Sequence, residues 1–284
     1  MSSRTTTPPR VDPPAPRAAR RGFTLVELMV VVVVILVLAS LMLSGLAVAR
    51  QRARIARTKS TIRKLNEIVV PHYESYLRRR VPFAIDPTNA RTNATNRLRA
   101  IRELMVFEMP DSGSDIGGSI PAHCETGPVR SYATSAPNTS AECLHMIVSR
   151  GGIDPDLMEQ FRSDEIGDVD NDGLPEFLDG WSKAIIFLRW APGFTSLSPV
   201  QVANATTHHD PFDPQRVDPN GYALVPLVVS GGPDGLTGLQ VTTAGWRGLD
   251  LTKVVDVAGS IGAPDPNKPN DHRDNITNHD LSAR

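Results

Sequence analysis

The apolar run from Phe23 to Val48 limits this chain more than any other feature. A helix needs about 20 such residues to cross the hydrocarbon core of a bilayer. Arg20 and Arg21 precede the run, and Arg50, Arg52 and Arg54 follow it. A cleaved secretory signal has a shorter apolar core that ends in a small-residue site. Here Ala47-Val48-Ala49 leads straight into a charged helical pattern, so the run reads as a transmembrane helix in a lipid bilayer. A plain anchor leaves two residues unexplained: Gly22 just before the run and Glu27 inside it. An acid in hydrocarbon is expensive, and intramembrane acids are functional by default.

Charge is distributed around this segment. The 284 residues carry a formal net charge of -1, which points to neither nucleic acid nor an acidic ligand. Residues 1–22 hold five arginines against Asp12, and Arg50 to Arg80 hold ten basic residues against Glu67 and Glu74. Residues 81–284 hold 15 basic and 27 acidic side chains. A basic collar beside an apolar segment, followed by an acidic body, predicts a membrane-anchored protein with no nucleic-acid partner. The collar suits anionic headgroups.

Gly22-Phe23-Thr24-Leu25-Val26-Glu27-Leu28 resembles the class III signal of type IV pilins and type II secretion pseudopilins. The resemblance implies a disposable leader over 1–22, cut after Gly22 by a prepilin peptidase that then N-methylates Phe23. It also implies that Glu27 pairs with the new N-terminal amine of a neighbouring subunit in a filament. Opposite charges attract more strongly as the dielectric falls, although both must be desolvated. The implied partners are the peptidase, further copies of the chain, other pseudopilins and an inner-membrane assembly platform. The implied location is a single pass of the bacterial inner membrane, with a cytoplasmic N-terminus and a periplasmic head. A surface pilus for adhesion, motility or DNA uptake is the alternative within the same filament family.

Beyond the membrane, Ile55, Ile62, Leu65, Ile68, Val69 and Tyr76 recur at helical spacing, so 23–80 reads as one transmembrane and stalk helix. Pro71 predicts a kink or an early end, and Arg78-Arg79-Arg80 the terminus. Ser40, Ser44 and Gly45 are a weak spot in helix propensity.

The head is expected to be α+β, with a small antiparallel β-sheet. Residues 81–152 read as short helices and loops, with helical spacing at Leu98, Ile101, Leu104, Met105 and Phe107 and a second helix over Ala141–Ser149. Cys124 and Cys143 are the only cysteines. In an oxidising compartment a bridge closing this loop of about 20 residues would be worth about 3 kcal/mol; two free thiols are the alternative.

Residues 153–284 read as the β-rich part with acidic loops. In Asp168-Val169-Asp170-Asn171-Asp172-Gly173, acids fall at positions 1, 3 and 5 of an EF-hand-type loop and glycine at position 6. Leu174 would offer its carbonyl, with Glu176 at position 9 and Asp179 at position 12. Alternate carboxylates can wrap one hard cation, so Ca2+ is the expected cofactor; an acidic turn without metal is the bland alternative. Asp at position 12 and Pro175 depart from the EF-hand and predict a loop without flanking EF-hand helices.

Further on, Leu178 to Phe194 resembles the Asp-Pro-Trp-Gly-Asn-Pro-Tyr strand of major pseudopilins, with Asp179 and Trp181 matching and Gly180, Ser182 and Ala184 departing. Physically, Ala184 to Trp190 reads as a buried strand. Pro226 to Gly238 and Asp274 to Asn278 resemble the two segments that build a calcium loop in that family. The resemblance makes Asp234 and Asp274 candidate ligands of a second site. No Gly-Lys-Ser/Thr follows 230–238, so a nucleotide loop is excluded there.

Enzyme signatures are lacking: there is no Gly-x-Ser-x-Gly, His-Glu-x-x-His or paired Cys-x-x-Cys. His208-His209-Asp210 sits among Asp-Pro turns and reads as a surface loop. A structural subunit is expected rather than an enzyme, with a membrane-anchored hydrolase as the remote alternative.

Overall fold

The computed structural model describes residues 23–116, 138–150, 155–196, 200–241 and 261–281. The chain divides into two units, residues 1–49 and 50–284. Helix α1, Leu25–Ser75, contributes to both, and a 3-10 turn, Tyr76–Arg78, follows it. Within the first unit the apolar side chains are exposed all around α1, none of the large ones less than 45%. A helix that is apolar on every face needs lipid or other helices around it. It is also long and apolar enough to cross a membrane.

The helix passes through Pro71 and stops four residues later, so the proline neither ends nor restarts it. At the expected weak spot the helix is continuous. The Ser40 and Ser44 hydroxyls donate to the carbonyls of Val37 and Leu41, each at 2.8 Å, which satisfies them inside the ladder.

The second unit is an α+β head. Its helices are the last turns of α1, α2 (Ala90–Glu108), α3 (Gly113–Ile116), α4 (Thr139–Arg150) and α5 (Asn278–Leu281). Helix α2 begins earlier than its apolar spacing predicts, because Asn89 caps it by accepting from the N–H groups of Arg91 and Thr92. The expected antiparallel β structure is present and, among the described residues, falls into two small sheets. Strands β1 (Ile166–Gly167) and β2 (Glu176–Phe177) pair across the acidic loop, with Ile166 opposite Phe177. Strands β3 (Ile186–Leu188), β4 (Leu227–Ser230) and β5 (Ile276–Thr277) form the other sheet in the order β3-β4-β5. The register pairs Phe187 with Val228 and Ser230 with Ile276. The two segments that resemble the pseudopilin calcium loop are therefore neighbours in one sheet.

The main hydrophobic cluster of the described head joins α1, α2, α4 and both sheets. Ile62, Leu65 and Val69 of α1, Leu98, Ile101 and Met105 of α2, Leu144 and Ile147 of α4, and Phe177, Phe187 and Val228 from the sheets bury together. Side chains of this kind contribute about 1.5–3 kcal/mol each when fully buried. Polar ties fix the elements around this core. Arg102 of α2 donates to Asp210 at 2.9 Å and to Asp218 at 3.1 Å. Arg189 donates to Asp115 at 3.1 Å and to the carbonyl of Met109 at 2.7 Å. Lys64 and Thr61 of α1 both hold the buried Glu165.

Gly180 explains itself here. Its N–H donates to the Thr58 hydroxyl at 2.9 Å, and a Cβ at this position would collide with the backbone of Arg54. The glycine that departs from the pseudopilin pattern is the residue that lets this turn lie against α1.

Candidate functional site

The N-terminus of α1 is built by Thr24 and Glu27. The Leu28 N–H donates to the Thr24 carbonyl at 3.1 Å, and the Glu27 N–H to the Thr24 hydroxyl at 3.2 Å. In return Glu27 Oε2 accepts from the Thr24 N–H at 3.3 Å and from its hydroxyl at 3.2 Å. This reciprocal arrangement is a capping box, which satisfies orphan donors of the first turn. The signal was visible as Thr-x-x-Glu ahead of an apolar run, and reasoning from charge alone missed Thr24. Phe23 lies immediately before the cap and is 79% exposed; Gly22 lies outside the described residues.

The acidic loop between β1 and β2 folds as its residue types suggest. Asp168 Oδ1 accepts from the Asp172 N–H at 3.2 Å and its Oδ2 from the Gly173 N–H at 2.9 Å. Asp172 Oδ1 accepts from the Leu174 N–H at 2.8 Å. Asn171 and Gly173 have φ of 61° and 93°, the left-handed turns that let the chain double back. Glu176 Oε2 accepts from the Val169 N–H at 2.9 Å, which folds position 9 back over the loop. Asp168, Asp170 and Asp172 carry carboxylate oxygens all within 4.8 Å of one another.

A second group shares Asp170. Glu142, Asp170 and Glu176 also bring carboxylate oxygens within 4.8 Å of one another. Glu142 comes from α4, far away in sequence, and both it and Glu176 are fully buried. Helix α4 packs against β2 and β3, which sets its fourth residue, Glu142, over the loop. Leu174 packs its side chain on Cys143 and Met146, the residues that flank this face of α4. Burial and the charges of Asp172, Asp170, Glu176 and Asp168 push the Glu142 carboxyl up to about 7. Burial and the facing Asp170 and Asp168 raise Glu176 as well, against the Val169 N–H and the Asn138 side chain that lower it. Glu142 was missed from sequence, although a lone carboxylate in Ala141-Glu142-Cys143-Leu144 was the available signal.

Asp179 has a different task from position 12 of an EF-hand. Its Oδ1 accepts from the Trp181 and Lys183 N–H groups, at 2.8 and 2.9 Å, and its Oδ2 from the Ser230 hydroxyl at 2.7 Å. It closes a turn and ties it to β4, and neither acid group includes it. The shorter Asp fits this turn, which explains why Glu is not needed there.

Asp234 and Asp274 lie in the two segments joined through β4 and β5. Asp234 Oδ1 accepts from the Leu236 N–H at 2.8 Å. Gly232, at φ 64°, sits against the backbone of Asp274, so a side chain there would collide with it. Among the described residues neither acid belongs to a group of three ligand side chains. Cys143 is a buried free thiol, and burial holds it well above the usual thiol range. Cys124, its expected partner, lies outside the described residues. His209 Nε2 is 3.4 Å from Asp213, and Asp210 serves Arg102, so the His208-His209-Asp210 stretch is structural turn chemistry.

Comparison with known proteins isolates the amino-terminal region. Residues 17–43 match the family model for the prokaryotic N-terminal methylation motif. No curated protein and no solved structure matches the chain. The match spans Gly22, Phe23, the capping box and most of the exposed apolar stretch of α1.

Proposed function

We propose that this chain is a prepilin-like subunit that assembles into a type II secretion pseudopilus for protein export. The observation that carries the reading is the N-terminal methylation motif at 17–43, running directly into an apolar helix with no buried face. Prepilin peptidase cuts after Gly22 and methylates Phe23. The helix then holds the subunit in the inner membrane with the acidic head on the periplasmic side. Extraction into a filament replaces lipid around Leu25 to Val48 with the same apolar surface of neighbouring subunits, so helix packing can carry assembly. Glu27 pairs with the methylated amine of a neighbour, a contact that exists only after cleavage.

The head supports export rather than a surface pilus through its resemblance to major pseudopilins around 178–194, 226–238 and 274–278. The capping box is compatible with this role, because a carboxylate has lone pairs left for a second partner. Deletion of the gene in its own host is the test. Loss of protein secretion with surface filaments intact is the expected result. Loss of surface filaments with secretion intact would move the subunit to a type IV pilus.

A further inference from the structure

We propose that Glu142, Asp170 and Glu176, with Asp168 and Asp172 at the mouth, form a calcium site that clips α4 to the loop between β1 and β2. The site goes beyond the filament reading, since it stands on the geometry of the head alone.

Four carboxylate oxygens carry the inference: Glu142 Oε1 and Oε2, Asp170 Oδ1 and Glu176 Oε1 are buried and accept no hydrogen bond. Buried polar atoms are almost always paired, and an unpaired one costs about 1–3 kcal/mol, more when charged. Glu142 is fully buried, so water does not solvate it, and its oxygens converge on those of Asp170 and Glu176. The polar contacts already present fix the ligands in place. Val169 donates to Glu176 Oε2, Asn138 Nδ2 lies 3.5 Å from Asp170 Oδ2, and Asp172 and Gly173 donate to Asp168. Glu176 and Asp170 thus each have one oxygen beside a donor, while Glu176 Oε1 and Asp170 Oδ1 are buried without one. Carboxylates from two separate elements would repel one another without a cation between them.

The ligand chemistry selects the ion. Both groups contain only carboxylate oxygens, which suits a hard cation and disfavours zinc or copper. Calcium takes 6–8 oxygens in flexible geometry, whereas magnesium demands a near-octahedral shell and keeps several waters. Several anionic side chains of unequal length around one buried point fit the first description. The cation would join Glu142 of a helix to a loop that otherwise meets it mainly through Leu174, Cys143 and Met146.

The test is thermal unfolding of the full-length protein in detergent, with calcium, with magnesium or with EDTA, for wild type, Glu142→Gln and Asp234→Asn. Glu142→Gln keeps the shape and removes the charge. Calcium should raise the midpoint of the wild type and of Asp234→Asn by several degrees, and magnesium much less. In EDTA, Glu142→Gln should melt at or above wild type, because the repulsion is relieved. Its calcium response should need about tenfold more ion or more. Identical wild-type melts in calcium and EDTA would overturn the site. So would a Glu142→Gln response in the wild-type calcium range, or loss of the response in Asp234→Asn alone. An equal response to magnesium would overturn the assignment to calcium.

Discussion

Glu27 accepts from both the backbone N–H and the hydroxyl of Thr24, so the acid inside the apolar segment is also the closing residue of a helix cap. The cap needs only an acceptor, and glutamine can supply one. Pairing with an N-terminal amine needs a full negative charge.

Glu27→Gln and Glu27→Val therefore separate the two roles. Both variants should be cut after Gly22. Glu27→Gln should keep the helix start yet assemble into filaments as poorly as Glu27→Val, measured by the yield of sheared or cross-linked filaments. Wild-type yield from Glu27→Gln would leave capping as the whole role of the residue.

Gly180→Ala should destabilise the head by about 1–3 kcal/mol, the usual cost of forcing atoms into a packed contact. The added methyl meets the backbone of Arg54, which belongs to a helix and has no flexible end to move aside. Chemical denaturation of the full-length protein measures the shift.

Arg102→Met should cost about 3 kcal/mol or more, because it strands the buried carboxylates of both Asp210 and Asp218. Arg102 donates to Asp218 through both terminal nitrogens at 3.1 Å, and Asp218 is fully buried. Removing one partner of a buried pair leaves the other charge uncompensated. Thermal melts at neutral pH report it, and Asp234→Asn, at an exposed turn, should change little.

His145 predicts an acid-sensitive head. Burial, with a smaller contribution from the Arg150 charge, lowers its pKa from 6.5 to about 4. The folded head keeps the ring neutral, tilted against Phe177, while the unfolded chain takes up a proton below about 6.5. The stability that His145 supports is complete above about 6.5, falls as the pH drops, and its loss is complete below about 4. His145→Phe should flatten this part of the stability–pH curve, with a difference on the order of 3 kcal/mol at the acid end. Parallel curves for the two proteins would refute it.

The segments visible from sequence were those whose signal is local. The apolar run, the spacing of Leu98, Ile101 and Met105, and the Asp-x-Asp-x-Asp-Gly turn each encode their structure within a few residues. Thr24 is local too, but its Thr-x-x-Glu signal is one of hydrogen bonding rather than charge. Glu142 and Asp179 depended on contacts distant in the chain. Glu142 becomes meaningful only once α4 lies on β2, and Asp179 only once Ser230 is beside it. Asp179 looked like a metal ligand because turn-closing and metal-binding aspartates share the same short spacing. Gly180 looked like a divergent position until its neighbour on α1 was in view.

The proposal that this chain is a processed filament subunit is tested most directly by the intact mass of the mature protein from its own host, with fragmentation of the N-terminal peptide. The predicted product begins at Phe23 and carries one methyl group on its α-amine. A mature protein that retains residues before Phe23, or begins after the apolar segment, would contradict it.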